Sequence, residues 1–276
     1  MPSFVDKLLA AAKTNQSLLC VGLDPDPALM PIKDVATFNK AIIEATSDLV
    51  CAYKPNLAFY EALGLDGLKA LKETVEAVPG HIPVIGDAKR GDIGNTAVAY
   101  ARAMFDYWGF DAVTVAPYIG WDSIEPFAKY RERGVLILCR TSNPGQSDFQ
   151  KLSVDGTFGR PVPLYEKVAM KVREWDAHGN LGLVVGATHP DELRQVRGLC
   201  PDQPILIPGV GTQGGDLKLA VHYGTDKNGG KAIINSSRGV TYASRGKDFA
   251  EAARAAASDM RSQIQRASAD RPLQKG

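Results

Sequence analysis

The chain contains 276 residues, of which 45% are hydrophobic and 23% are charged, so it can bury a sizeable core. Its 32 Lys and Arg residues nearly balance its 31 Asp and Glu residues, and the net charge of +1 argues against a strongly basic nucleic-acid binder. The composition also excludes intrinsic disorder, collagen and a small scaffold held by disulfides.

The N-terminal segment predicts a short amphipathic helix rather than a targeting signal. Residues 1–16 lack a basic start followed by an uninterrupted apolar run. No run of about 18 apolar residues is present, so we expect no membrane partner and a cytoplasmic location. The four cysteines form no CxxC pair, and three of them lie in apolar runs, so we interpret them as core residues.

Eight apolar runs rich in β-branched residues follow one another along the chain. They cover 18–24, 49–56, 82–90, 112–118, 135–141, 181–188, 205–211 and 231–239. Their nearly continuous hydrophobicity, without alternation, is typical of parallel strands that are covered on both faces.

Segments with helical spacing alternate with these runs. They cover 36–47, 59–77, 95–107, 122–131, 162–178, 190–198, 214–223 and 247–267. Strand followed by helix, eight times over and without a linker, predicts a (β/α)8 TIM barrel of the α/β class that forms a single domain over 1–276. An open, doubly wound sheet is the alternative.

Two segments fall outside this alternation. The longest irregular stretch, at about 142–161, predicts a long loop, and a loop of that length in a compact domain is more often functional than accidental. The C-terminal sequence ADRPLQKG predicts a frayed tail.

Polar residues cluster at or just beyond the C-terminal ends of the predicted strands, where a TIM barrel builds its catalytic mouth. These residues are Asp24, Lys54, Asp87, Lys89, Ser142, Gly211 and Arg238.

The sharpest motif is DAKRGD at 87–92, which ends the third predicted strand. Residues two apart on a strand share a face, so Asp87 and Lys89 can project into the same mouth, and Asp92 follows Gly91, where the chain can turn. Lys54 ends the neighbouring strand and can join them. Such an alternating network can keep a lysine protonated and the carboxylates ionised in a partly dry pocket. The structural alternative is a set of salt bridges that closes the barrel rim.

A second motif, PGVGTQGGD at 208–216, contains a literal G-x-G-x-x-G. A dinucleotide fingerprint also needs an acidic residue about 20 positions onward, at the end of the next strand. Here the next strand ends in Ser237 and Arg238 instead. Glycines after the seventh strand and an arginine after the eighth indicate a phosphate site formed by backbone N–H groups and the guanidinium. The alternative is a glycine-rich turn beside an exposed arginine.

The remaining motifs are less specific. Thr141 to Gly145, TSNPG, offers groups that suit the hydrogen-bonding edge of a planar heterocycle, although this is also a common turn composition. The four histidines have no metal-ligand spacing, so we expect no metal.

Seven segments together carry a resemblance that runs in order from residue 21 to 239. They are VGLDPDP, YKPNLAFYEALG, VIGDAKRGDIGNTA, APYIGWDSIEPF, LCRTSNPG, PGVGTQGGD and NSSRG. With these motifs the chain resembles the orotidine 5′-phosphate decarboxylase family, in particular its longer bacterial branch. The resemblance implies a (β/α)8 barrel that converts orotidine 5′-monophosphate to uridine 5′-monophosphate without cofactor or metal.

The resemblance also implies residue roles. The family's charged network corresponds to Lys54, Asp87, Lys89 and Asp92, with Lys89 as the proton donor to C6 of the pyrimidine. The substrate-binding positions that it implies are Asp24, Thr96, Ser142, Pro208, Gln213, Ser237 and Arg238. Asp24 would contact the ribose, Ser142 the pyrimidine, and Gln213 and Arg238 the phosphate.

A homodimer is a further implication, since in the family the equivalents of Asp92 and Thr96 reach into the partner's site. Two other functions remain open at this point. Magnesium-dependent relatives that act on sugar phosphates carry a glutamate at the end of the second strand, where this chain has Lys54. The other candidate is a catalytically silent barrel that only binds nucleotides.

Overall fold

The computed structural model describes residues 2–156, 159–211 and 214–271. Its strands are β1 (Leu19–Leu23), β2 (Ala52–Pro55), β3 (Ile85–Arg90), β4 (Ala112–Val115), β5 (Gly134–Arg140), β6 (Ser153–Asp155), β7 (Pro161–Pro163), β8 (Leu181–Val185), β9 (Ile205–Ile207) and β10 (Ala232–Ser236). Its α-helices are α1 (Phe4–Asn15), α2 (Val35–Thr46), α3 (Leu57–Glu61), α4 (Gly64–Ala77), α5 (Gly94–Arg102), α6 (Glu125–Ala128), α7 (Ser147–Gln150), α8 (Leu164–Trp175), α9 (Pro190–Leu199), α10 (Leu217–Gly224), α11 (Arg238–Thr241) and α12 (Phe249–Ala269).

Eight of these strands form one parallel sheet that closes on itself. The hydrogen-bonded order is β2-β1-β10-β9-β8-β5-β4-β3. Parallel bridges join Tyr53 to Val84 and Asn56 to Asp87, so β2 also pairs with β3. The prediction of a (β/α)8 TIM barrel is therefore confirmed.

The barrel has two apolar regions because strand side chains alternate between its interior and the helical layer. One cluster takes a single residue from each barrel strand: Cys20, Ala52, Ile85, Ala112, Leu136, Val184, Leu206 and Ile233. Phe4 and Leu8 of α1 pack into the same cluster, so α1 closes the end of the barrel where the strands begin. The larger cluster lies between the strands and the surrounding helices.

Most predicted helices form, but three are interrupted. The segment predicted at 59–77 divides into α3 and α4, because Gly64 adopts a left-handed φ of 65°. The one predicted at 95–107 changes from α5 to a π-helix over Ala103–Tyr107. The one predicted at 122–131 consists of a 3-10 turn over Trp121–Ser123 followed by the short α6.

The segment 142–161 is not the irregular loop that the sequence predicts. It contains α7, and its β6 pairs with β7 in an antiparallel hairpin, with Val154 opposite Val162. Pro161 and Pro163 hid this hairpin from the pattern, since proline is rare in strands. Both strands of an isolated hairpin are edge strands, and edges tolerate proline.

The predicted tail lies largely outside the described residues. Helix α12 ends at Ala269, and residues 272–276 are not described. A single domain over 1–276 therefore stays a prediction. No helix in the part of the chain that the structure describes has the length and hydropathy of a bilayer span.

Candidate active site

A cluster of opposite charges lies at the C-terminal ends of β2 and β3. The Asp87 carboxylate accepts hydrogen bonds from Lys54 Nζ at 2.9 Å and from Lys89 Nζ at 2.6 Å. Thr114 of β4 donates from its hydroxyl to the same carboxylate at 3.0 Å. One carboxylate therefore bridges two ammonium groups, and three of the four predicted members of the charged network, Lys54, Asp87 and Lys89, lie in direct contact.

The two innermost members of this cluster stabilise each other's charge. Burial alone would raise the pKa of Asp87, but the ammonium groups of Lys54 and Lys89 outweigh it and hold that pKa well below its usual range. Burial alone would lower the pKa of Lys54, but the carboxylates of Asp87 and Asp24 outweigh it and raise that pKa. Both side chains therefore stay ionised near neutral pH.

Lys89 differs from Lys54 in exposure and in backbone conformation. The side chain of Lys54 is 5% exposed, whereas that of Lys89 is 49% exposed and faces the open end of the barrel. Lys89 has a left-handed φ of 48°, and its N–H donates to Thr114 Oγ1 at 2.9 Å. The pairing of β3 with β4 also shifts register between Gly86 and Arg90. This irregular strand end directs the Lys89 ammonium back onto Asp87.

A cavity of about 390 Å³ opens beside the charged cluster. Its lining includes Asp24, Lys54 and Asp87, and it also includes Ser237 and Arg238. Arg238 is the first residue of α11 and is exposed, so its guanidinium is available to an anion. Pro208, which follows β9, also lines the cavity. The cavity thus borders both the charged cluster around Asp87 and the guanidinium of Arg238.

Asp24 is held in the cavity wall by its backbone. The Tyr242 hydroxyl donates to the carbonyl of Asp24 at 2.7 Å and accepts from the N–H of Asp26 at 2.6 Å. Oδ1 of Asp24 is buried and has no hydrogen-bond partner among the described residues. Such a buried acceptor is suited to a donor from a ligand.

Lys89 contacts the lining residue Asp87 but is not itself part of the cavity lining, and three other predicted site residues of the described ranges also lie outside it. Asp92 precedes α5 and accepts from the N–H of Ile93 at 2.8 Å, and Thr96 is exposed on α5. Ser142 follows β5 and packs against Gly186, where an added Cβ would lie 2.9 Å from Ser142 Cβ. Of the described residues, the cavity lining includes none of these three. The predicted phosphate contact Gln213 lies outside the described residues.

The sequence reasoning missed three residues that the structure brings to the site: Thr114, Asn235 and Tyr242. Thr114 is a single polar residue in an apolar run, and Asn235 is the first polar residue after the apolar run 232–234, and those positions were the available signal. Tyr242 follows the arginine motif by four residues and carried no distinguishing pattern. Within the described ranges, no three His, Cys, Asp or Glu side chains are grouped to hold a metal ion.

Comparison with known proteins gives consistent matches. Residues 17–256 match the model of the family described as Orotidine 5'-phosphate decarboxylase / HUMPS family. The curated orotidine 5'-phosphate decarboxylase of Dehalococcoides mccartyi is 53% identical and covers 95% of this chain and 97% of its own length. That of Cellvibrio japonicus is 52% identical over 95% of this chain and 98% of its own. The solved structure of Leishmania donovani OMP decarboxylase has a TM-score of 0.85 and 42% identity, and the match covers 96% of this chain and 99% of that one.

Proposed function

The chain belongs to the orotidine 5′-phosphate decarboxylase family, and on that premise we propose that it decarboxylates orotidine 5′-monophosphate to uridine 5′-monophosphate in pyrimidine biosynthesis. The observation that carries the proposal is the Asp87 carboxylate, which bridges the ammonium groups of Lys54 and Lys89 beside the cavity. Lys54 also argues against the magnesium-dependent relatives, because an ammonium at this position repels a divalent cation.

Lys89 is the proposed proton donor, and the reaction as proposed needs no cofactor. When the bond between C6 and the carboxylate breaks, its electron pair stays on C6 and CO2 leaves. No adjacent carbonyl can delocalise this pair, so a preorganised ammonium that stabilises it in the transition state lowers the barrier. Lys89 then transfers a proton to C6 and regains one from solvent. Asp87 keeps the ammonium oriented and lies near the departing carboxylate.

Substrate binding is proposed to follow the length of the cavity. Arg238, with Ser237 and Pro208 beside it, would hold the phosphate, and Gln213 would join them. Asp24 would accept hydrogen bonds from the ribose, and Ser142 would contact the pyrimidine from the end of β5. Because the phosphate is remote from C6, its binding energy can be used to orient the reacting carbon.

The proposed working unit is a homodimer in which Asp92 and Thr96 enter the partner's site. Its support is the surface near these residues, where Ile93 and Val98 are each 54% exposed. Apolar side chains grouped on a surface often mark an interface. We propose a cytoplasmic location for this dimer.

The decisive experiment follows the loss of orotidine 5′-monophosphate absorbance with and without EDTA. We expect turnover that EDTA leaves unchanged. The Lys89→Ala variant should bind uridine 5′-monophosphate and remain folded, but lose decarboxylation by at least about a hundredfold, because the proton donor and charge stabiliser is gone. No turnover by the wild-type protein would reject the proposed function. Turnover by Lys89→Ala near the wild-type kcat would reject only the role of Lys89.

A further inference from the structure

Asn235 is a buried polar residue to which neither the sequence analysis nor the charged cluster gives a role. It lies on β10, is 7% exposed and lines the cavity that holds Asp24 and Lys54. Its Oδ1 is buried and has no hydrogen-bond partner among the described residues. Its Nδ2 lies 3.4 Å from Ser237 Oγ, which is a long contact for a hydrogen bond. Several buried polar atoms of the described residues lack a partner, but only those of Asp24 and Asn235 belong to residues that line this cavity, where a ligand can supply one.

The position of Asn235 in the barrel directs its side chain inward. Ile233 belongs to the interior cluster, and residues two apart on a strand share a face. Asn235 therefore points into the interior, immediately above the apolar layer. Strand β10 pairs with β1, which ends at Leu23 next to Asp24, and β1 pairs with β2 through Gly22 and Lys54. Asn235 thus lines the cavity from the strand next to the one that leads to Asp24.

Two unpartnered acceptors, Asp24 Oδ1 and Asn235 Oδ1, therefore come from neighbouring strands. A pyrimidine nucleotide offers them few donors, because its phosphate at neutral pH has mainly acceptors and its ring has a single N–H donor, at N3. Arg238 places the phosphate at one end of the cavity, and Lys89 with Asp87 places the reacting carbon at the other. The segment between these ends is the ribose, whose hydroxyl groups are donors.

We propose that Asn235 is a further substrate-binding residue, whose Oδ1 accepts a hydrogen bond from a ribose hydroxyl. The inference rests on the proposed function, since it takes a pyrimidine ribonucleotide as the ligand. Asn235 acts as a specificity determinant that favours ribonucleotides over nucleotides that lack the hydroxyl group.

The test is calorimetric titration with uridine 5′-monophosphate and with its 2′-deoxy and 3′-deoxy analogues. The variants are Asn235→Leu, which keeps the side-chain size without hydrogen-bonding atoms, and the smaller Asn235→Ala. We expect each to bind uridine 5′-monophosphate about tenfold more weakly than the wild type does, the usual effect of one lost hydrogen bond. One of the two deoxy analogues lacks the hydroxyl group that Asn235 contacts, so the variants and the wild type should bind that analogue with equal affinity.

Ser236→Ala is the matched control, since Ser236 is 5% exposed on the same strand but alternation turns it toward the helical layer. It should leave all three affinities unchanged. An equal loss of affinity for all three ligands, or no loss for any, would overturn the role of Asn235 while the proposed function stands. Failure of the wild-type protein to bind uridine 5′-monophosphate would instead remove the proposed function itself. If the Asn235→Leu variant does not fold, the affinities of Asn235→Ala for the same three ligands test the proposal.

Discussion

Asp87 is the residue on which the charged cluster depends, because Lys54 is almost completely buried and has Asp87 as its ion-pair partner. Replacing one member of such a pair leaves an uncompensated charge in a dry environment. We expect Asp87→Asn to lower the free energy of unfolding at pH 7 by about 3 kcal/mol. Urea denaturation of the wild type and the variant at the same pH measures this difference.

The difference should also depend on pH in a defined direction. The pKa of Asp87 lies below its unfolded value of about 3.9, so its stabilising contribution is complete above that value and is lost as pH falls toward the folded pKa. The gap between wild type and Asp87→Asn should therefore be equal at pH 7 and 5 and smaller at pH 3.5. Asp122→Asn, at an exposed position, should change stability by less than about 0.5 kcal/mol. A gap that widens in acid would contradict the assigned ion pairs.

Single residues of the site were predictable where a charge ends an apolar run. Asp24, Lys54, Asp87 and Lys89 met that condition, and the structure brings the last three into direct contact. Asn235 did not meet it, because it carries no charge, and an uncharged amide at a strand end becomes meaningful only when the barrel interior is known. Whether Asp92 and Thr96 reach the site of a partner subunit depends on how two chains assemble, and a pattern of strands carries no information on assembly.

Among the elements, β5 ends at Arg140, and contacts around this residue connect α7, α8 and α9 with the loop that follows the strand. Arg140 is fully buried, and its Nη2 lies 3.3 Å from Glu192 of α9 while its guanidinium stacks near Tyr165 of α8. Gln150 of α7 accepts from the N–H of Thr141 at 2.9 Å and donates to its hydroxyl at 2.8 Å. These contacts fix the backbone next to Ser142.

Glu192→Ala should therefore destabilise the protein by about 3 kcal/mol, since it leaves the Arg140 guanidinium buried without a carboxylate. The matched control is Asp191→Ala on the same helix, whose ion pair with Arg194 is exposed and 3.6 Å long. That change should cost less than about 1 kcal/mol. Urea denaturation measures both variants. Equal effects at the two positions would show that Arg140 does not depend on Glu192.

The eight strands of the barrel were predictable from the sequence because buried parallel strands are apolar throughout. The breaks in the helices were not, because the spacing of apolar residues reports neither the left-handed backbone at Gly64 nor the π-turn after α5. The hairpin of β6 and β7 also escaped prediction, since each strand has three residues and carries little pattern.

For the whole molecule, the proposed dimer makes a prediction about mixed subunits. If Asp92 serves the partner's site, Asp92→Ala and Lys89→Ala homodimers should each be nearly inactive. A mixed dimer would carry both lesions in one site and neither in the other. Random reassortment of equal amounts makes about half of the dimers mixed, so about a quarter of all sites should regain full activity, because a two-fold dimer repeats its contacts symmetrically.

The measurement is decarboxylation after co-refolding at equal concentrations, with exchange verified by differently tagged chains. If Asp92 acts within its own subunit, every site in every mixture carries one lesion. Proven mixed dimers without recovered activity would then reject the shared site and leave the decarboxylase proposal intact.

Because the backbone at Lys89 is left-handed, the residue that best stabilises the fold at this position differs from the residue that the reaction needs. A non-glycine residue in this conformation costs about 1–2 kcal/mol, a cost that glycine avoids. The ion pair of Lys89 with Asp87 offsets part of this cost, but a half-exposed pair contributes less than about 1 kcal/mol, so selection for thermal resistance alone would favour glycine at this position. Selection for turnover would favour lysine. A search for stabilised versions of this barrel that monitors only melting temperature is therefore expected to discard the lysine, whereas a search that monitors product formation is expected to retain it.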